Sequence, residues 1–450
     1  MRHRLQAQMP IVHCQVEHIH AAELEAMSSI LDDEPVITNK VYADMIEIGV
    51  QTDTGRDGMT AEQVLRALII KQQNGYSYEE LAFHLADSRC YRAFCRYGIN
   101  DSSPSKSTLH RNISCVKPET LEEINMILAL RASCEGIEKG QKIRFDCTGV
   151  ESNIHVPSDS SLLWDCVRVL TRILYKAKEL VNITFCDHSR RAKRRYIGIR
   201  NARSEKRKKL YRDLLKVTKM TILFAEKADS PLKEAKGLNI MGALAAQGLA
   251  AELKNYVELA HRVIDQTERR VIHGEKVPSP EKLVSIFETH TDIIKKDRGD
   301  PLYGHKICLS AGPSGLITDC VIESGNPADS TLALKMVERQ KKLYGKPPRQ
   351  ASFDGGFASK ANLQDIKAMG VKDVVFSKRR GLKLNDMAKS SWVYKRLRDF
   401  RAGIEGIISF LKRCFGLKRC TWKGLQSFRS YVWSSILSAN LLIMARHMLN

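Results

Sequence analysis

The sequence predicts a mixed α/β protein in three parts. Residues 1–135 form a helical N-terminal domain, an α/β core follows, and a basic helical insertion at 159–295 interrupts that core after its first strand. Three observations predict this. Apolar residues repeat at helical spacing over about 60–130. Period-two alternation appears near residue 145 and returns only after residue 300. The stretch between them is helical in pattern and dense in Lys and Arg.

The charge narrows the class of partner. Across 450 residues, 72 Lys and Arg face 51 Asp and Glu, a net charge of +21. Such an excess calls for a polyanion, and nucleic acid is the usual one, a solvated basic surface being the alternative. The N-terminus "MRHRLQAQMPIVHCQVEHIH" lacks the apolar centre of a signal peptide. The terminal run "YVWSSILSANLLIMARHML" is broken by Ser434, Ser435, Ser438, Asn440 and Arg446, so a buried helix is expected there and no membrane span. A cytoplasmic protein follows. Its 12 cysteines show no CxxC pairs; the closest, Cys90/Cys95 and Cys414/Cys420, lie near no His in a zinc-like arrangement, so reduced thiols are expected.

In the N-terminal domain, "TAEQVLRALIIKQQNG" opens with Thr60 and Gln63 at capping-box spacing and closes on Gly75. Val64, Leu65, Leu68 and Ile69 supply its apolar face. "SYEELAFHLADS" repeats the device with Ser77 and Glu80. A third segment, "SPSKSTLHRNIS", is basic through Lys106 and Arg111 and follows the loop "YGINDSSP". The succession suits a helix-turn-helix DNA reader, or a plain helical scaffold.

The first core strand falls within residues 140–158. In "KIRFDCTGVESNIH", Ile143, Phe145 and Cys147 alternate with Arg144, Asp146 and Thr148, placing Asp146 on the polar face. The insertion begins with Leu163, Val167, Leu170 and Leu174 at helical spacing. From Arg190 to Lys219, fourteen cations meet two acids, Glu205 and Asp213. Arg190, Arg191, Lys193, Arg194 and Arg195 are the expected phosphate contacts, a solvated helix face being the alternative.

Residues 296–450 supply the rest of the core. "YGHKICLSAG" and "GLITDCVIESG" read as strands joined at Pro313 and Gly315. A helix ending on Gly345 follows. Then come the strand ending at Asp354, a helix from Ser359 to Met369, the strand "DVVFS" and helices to the end. With the insertion set aside, the order is strand, two strands, helix, strand, helix, strand, helix. That order fits a ribonuclease-H-like fold. Asp297 and Asp300 read as turn residues, His305 as a hydrogen-bonded strand residue, and Asp329 as a helix N-cap.

Two acidic positions remain. Asp354 precedes Gly-Gly, which leaves room beside its carboxylate; it is either a cap on that turn or a metal ligand. In "FRAGIEGIISFLKRCFG", Ile404, Ile407, Ile408, Leu411 and Phe415 make an apolar stripe, with Arg401, Glu405 and Lys412 sharing an exposed strip beside it. An Arg401–Glu405 pair at i,i+4 contributes only about 0.2–0.5 kcal/mol. The strip makes more sense if Glu405 holds metal while Arg401 and Lys412 meet phosphates. In-line cleavage of a phosphodiester needs an activated nucleophile and a stabilised leaving oxygen, which two Mg²⁺ ions provide. Asp146, Asp354 and Glu405 are the carboxylates distributed to hold them.

The segments "DCTGVESNIHVPSDSSLLWDCVRVLTR", "YGHKICLSAGPSGLITDCVIESGNPADS", "FDGGFASKANLQDIKAMGVKDVVFSK" and "RAGIEGIISFLKRCFGLKR" resemble bacterial insertion-sequence transposases of the DDE type. The likeness spans roughly residues 55 to 450, and within the type it is to the not-yet-classified elements. It implies a ribonuclease-H-like core, Mg²⁺-dependent DNA cleavage with Mn²⁺ as a substitute, 3′-OH strand transfer and recognition of terminal inverted repeats. The acids of the DDE motif match Asp146, Asp354 and Glu405. A related signature of Tyr, Arg, Glu and Lys matches Arg401, Glu405 and Lys412, with Arg398 in place of the Tyr. The resemblance further implies action on element ends and target DNA by a homodimer or larger assembly, associated with the nucleoid when bound. The alternatives are a nuclease that cuts without joining, and a decayed copy that only binds DNA.

Overall fold

A computed structural model describes residues 3–5, 16–47, 58–98, 100–235, 238–295 and 299–450. Cys14, Asp297 and most of the N-terminal stretch read for a signal peptide lie outside them. The chain begins with α1 (Ile19–Asp32), α2 (Pro35–Glu47), α3 (Ala61–Asn74), α4 (Tyr78–Asp87), α5 (Arg89–Phe94), α6 (Lys106–Ile113) and α7 (Pro118–Cys134). Strand β1 (Lys142–Glu151) precedes α8 (Asp159–Leu180), α9 (Ser189–Asn201), α10 (Ser204–Glu234) and α11 (Ile240–Thr267). Then follow β2 (Asp292–Ile294), β3 (Leu302–Ala311), β4 (Ile317–Ile322), α12 (Ala333–Tyr344), β5 (Gln350–Phe353), α13 (Lys360–Ala368), β6 (Asp373–Phe376), α14 (Leu384–Met387), α15 (Ser391–Cys414) and α16 (Leu425–Leu449). Two compact units result: residues 1–153 with 304–450, and residues 154–303.

In the first unit the strands run in the order β4-β3-β1-β5-β6. β3 is antiparallel to both β1 and β4, while β5 is parallel to β1 and to β6. The expected turn joins β3 to β4, with Gly315 at φ +89°, a left-handed conformation that glycine adopts without strain. One face of the sheet packs Phe145, Phe353 and Phe376 against α12 and α13 residues such as Met336, Val337 and Ile366.

The terminal apolar run is α16, buried among α1, α3 and α7. Its polar residues are satisfied inside. Asn440 donates to Asn125 Oδ1 (2.7 Å) and Ile317 O (2.8 Å), and Ser435 accepts from Gln72 (2.8 Å). Among the described residues no helix is long and apolar enough to cross a membrane, and each cysteine is free.

Helix α3 differs from the expectation of a single apolar face. Thr60 and Gln63 do form the capping box, but α3 is buried nearly all round. Its Arg66 is 1% exposed and is held by Asp32 (2.6 Å), Ser28 (2.8 Å) and the Phe94 carbonyl (3.0 Å). Packing on every side, with partners for most of the buried polar groups, replaces the solvent face that periodicity implied.

The second unit is a helical bundle in which α8, α10 and α11 pack mutually and α9 lies on α8 and α10. Leu163, Val167, Leu170 and Leu174 are all buried in its core.

Candidate active site

Asp146 and Asp354 are brought together by strand register. β1 and β5 are parallel neighbours, with Phe145 opposite Phe353. Those two rings stack at 4.5 Å, 9° from parallel, and are fully buried. Because side chains alternate along a strand, the next residue on each, Asp146 and Asp354, belongs to the other face. The carboxylates therefore emerge side by side where β5 ends.

That face is covered by α15, which packs on β1 and β5. Arg144 donates to the Phe400 carbonyl (3.1 Å) and Ser352 to the Leu397 carbonyl (2.8 Å), pinning the helix to the sheet. Gly403 makes the approach possible, since a Cβ there would stand 2.1 Å from Arg144 Nη1. The face expected to be polar is therefore not a solvent face: Arg144 is 8% exposed and Thr148 5%.

Directly after the pinned segment, the Arg401 guanidinium meets all three predicted acids. Nη2 lies 2.8 Å from Asp146 Oδ2 and 3.4 Å from Asp354 Oδ1, and Nη1 lies 2.7 Å from Glu405 Oε1. Its Nε is buried with no hydrogen-bond partner among the described residues. Arg401 is not on an exposed strip as its helical phase suggested; its side chain is 12% exposed, against 65% for Glu405. The Asp146 carboxylate drew it inward. Lys412, two turns beyond Glu405, is half-buried, and Arg398 pairs with its neighbour Asp399 at the surface.

The two aspartates differ electrostatically. Burial pushes the Asp146 carboxyl up to about 6; Arg401 opposes this, while Asp354 and Asp329 add to it. Burial alone would raise Asp354 as well. The Ser377 hydroxyl, donating at 2.8 Å, the Gly355 amide and Arg401 outweigh it and hold that carboxyl below its ordinary value.

Asp329 was missed as a member of this site. It is not a helix cap: Ala328 holds that position and no side chain caps the turn. Lys306 captures the Asp329 carboxylate in an ion pair instead. A Cβ at Gly356 would stand 2.5 Å from Asp329 Oδ2, and one at Gly355 would stand 2.8 Å from Lys378 Cβ. The space those glycines open is thus taken by Asp329 and Lys378. Lys378, Arg379 and Arg380 are exposed beyond Ser377, and three consecutive cations after a strand were the available signal.

For a metal, the donors are chemically suitable. Mg²⁺ takes one or two carboxylates and keeps its waters, so the Asp146 and Asp354 pair fits one ion. Among the described residues, no three carboxylate, imidazole or thiol side chains stand close enough to share a metal. Arg401 lies between Glu405 and the two aspartates and is shared by all three.

The expected phosphate contacts divide. In the first unit, Lys106 and Arg111 are exposed on α6, Lys106 pairing with Glu79 (3.0 Å). In the second unit, Arg190, Lys193 and Arg194 are exposed on α9, whereas Arg191 and Arg195 both pair with Asp213. His305 is buried against the Phe428 ring, 4.8 Å between centroids, and Asp300 is exposed.

A transposase domain family (DUF772) matches residues 13–115, and the transposase DDE domain matches residues 260–441. The second match contains Asp354, Arg401 and Glu405; Asp146 lies outside both. No curated protein and no solved structure matches the chain. With the two domain matches arranged along one chain as an N-terminal and a DDE segment, this protein belongs to the insertion-sequence transposases of the DDE type.

Proposed function

We propose that this DNA transposase cuts at the inverted repeats ending its element and joins the freed 3′-OH to target DNA, in a reaction dependent on a divalent metal. The observation that carries the reading is Arg401, whose one guanidinium engages acids from β1, from the end of β5 and from α15. The strand order β4-β3-β1-β5-β6, with only β3 reversed, supports a ribonuclease-H-like core beneath them.

Asp146 and Asp354 hold the metal, and Glu405 completes the site once Arg401 no longer pairs with it. When bound, Mg²⁺ supplies Lewis acidity for the attacking and leaving oxygens of the phosphodiester. In the protein alone, Arg401 offsets part of the repulsion among the three acids. With DNA present, its guanidinium is a suitable donor for a phosphate beside the carboxylates. Lys378, Arg379 and Arg380 beyond Ser377, and α6 and α9 through their exposed cations, supply backbone contacts that carry no sequence information. Residues 1–135 act as the end-recognition domain, residues 159–295 as an insertion, and two ends require at least two copies of the chain.

The test is Asp354→Ala. It should abolish Mg²⁺- or Mn²⁺-dependent cleavage of a DNA carrying the element ends while leaving duplex binding intact. Unchanged cleavage would overturn the assignment. A strand-transfer assay on pre-cleaved ends separates a transposase from a nuclease that only cuts.

A further inference from the structure

The helical unit of residues 154–303 contains a cavity of about 350 Å³ that the carboxylate chemistry does not use. Arg207, Arg270, Lys282 and Lys295 line it, with Asp159, Gln266 and Tyr303. Asp159 is the carboxylate in the lining, and it is already engaged. Arg270 grips both its oxygens at 3.0 Å, and Gln266 approaches at 3.4 Å. Neighbouring acids offer little more: Glu281 is bonded to Arg269 at 3.0 Å, and Asp300 lies near Tyr303.

The lining carries four cations against that one carboxylate. Lys282 forms no ion pair among the described residues, and Arg207 has only the face of Tyr211, 6.0 Å away. Burial, then the like charges of Arg270 and Lys295, lower the Lys282 ammonium below its ordinary value, with Asp159 pulling the other way. The backbone beneath Arg270 is unusual too. Glu268–Ile272 is a π-helical turn continuing α11, a rare geometry that recurs at functional sites. A concave group of cations that repel one another is stabilised by an anion placed among them.

We propose that this cavity binds a phosphate of the DNA backbone. The proposal rests on the transposase reading and deepens it by locating a phosphate contact away from the most basic run, 190–219, apart from Arg207. Phosphate oxygens would be met by Lys282 and Lys295, with Arg207 and Arg270 on the flanks and Asp159 holding Arg270 in place.

Two variants of the full chain separate this role from a structural one. Lys282→Ala/Lys295→Ala removes two donors. Asp159→Asn removes the competing negative charge. Binding to a fluorescein-labelled 30-bp duplex of arbitrary sequence is followed by anisotropy across salt concentrations. The double variant should bind roughly 10-fold more weakly, with a log–log salt slope shallower by about 1–2. Asp159→Asn should bind more tightly. Loss of binding in both variants would mean a packing role and overturn the proposal, as would no change in either. A parallel titration with inorganic phosphate distinguishes the source. Saturation by phosphate that the double variant loses, with duplex binding unmoved, would assign the site to free phosphate and overturn the DNA assignment. Cleavage by the wild-type chain is scored separately, so failure of the carboxylate site leaves this result readable.

Discussion

The two charged centres of this protein are unbalanced in opposite directions. At the end of β5, three carboxylates share the guanidinium of Arg401. In the helical unit, the carboxylate Asp159 is taken by Arg270, while among the described residues Lys282 and Arg207 pair with no carboxylate of their own. Like charges gathered without a full complement of the opposite sign repel one another. On the proposed readings, each imbalance is met during function, by a cation at the first centre and by an anion at the second.

The comparison breaks most visibly through catalysis. Asp146→Asn and Asp354→Asn should each lower metal-dependent cleavage by at least about 1,000-fold, since metal catalysis supplies several kcal/mol of transition-state stabilisation. Lys282→Ala/Lys295→Ala should retain cleavage once duplex is saturating. If the lysine variant lost cleavage under saturation as completely as the aspartate variants, the division into a cation centre and an anion centre would fail.

The next effect concerns Arg401. If it stands in for a metal, it competes with one. Arg401→Gln should raise the affinity of the DNA-free protein for Mn²⁺, by about 10-fold for a loss of roughly 1.4 kcal/mol of competition. Calorimetric titration with Mn²⁺ reads this without any reaction. Weaker Mn²⁺ binding would instead make Arg401 a residue that positions the ligands. On the proposed reading, in which the guanidinium also serves phosphate, cleavage by this variant should fall in either case.

Much of this site was legible in the sequence. Asp146 and Asp354 each follow a buried Phe on a strand, and the alternation of β1 together with the apolar run before Asp354 exposed that placement. Glu405 was legible from helical phase. The hidden part depends on contacts between segments far apart in sequence. Phase alone put Arg401 on an exposed strip, because nothing local records that Asp146, 255 residues away, draws it inward. Asp329 looked like a cap because Asp before a helix usually is one; Lys306, on β3, captures it. Burial of α3 was hidden for the same reason, since its Arg66 is satisfied by residues of α1 and α5.

A smaller effect tests how tightly α15 is held at the cation centre. Gly403 and Gly406 lie one turn apart on that helix. A methyl at Gly403 would displace Arg144, whereas one at Gly406 meets nothing within 4 Å. Gly403→Ala should cost about 1–3 kcal/mol by breaking the buried Arg144 bond to Phe400. Gly406→Ala should gain roughly 0.5–1 kcal/mol from helix propensity. Urea denaturation of both variants checks the pair, and equal gains would show that the Arg144 contact does not hold α15 to the sheet.

The smallest effect is a titration. In the folded, metal-free protein Asp146 is raised to about 6, chiefly by burial, and Arg401 partly offsets the rise. A raised carboxyl favours its protonated form in the fold. The stability it contributes is therefore fully present below the ordinary carboxylate pKa and is lost as pH rises through about 6. Asp354, held below its ordinary value, acts oppositely; its contribution is present above the ordinary carboxylate pKa and is lost as pH falls through the lowered one. Removing Arg401 takes away the cation that stabilises ionised Asp146. Arg401→Gln should move the Asp146 midpoint further above 6. Carbon-13 NMR of labelled aspartate carboxyls reads both midpoints. A downward shift in the variant would mean that burial of Asp146 depends on Arg401, and that the guanidinium builds the pocket as well as filling it.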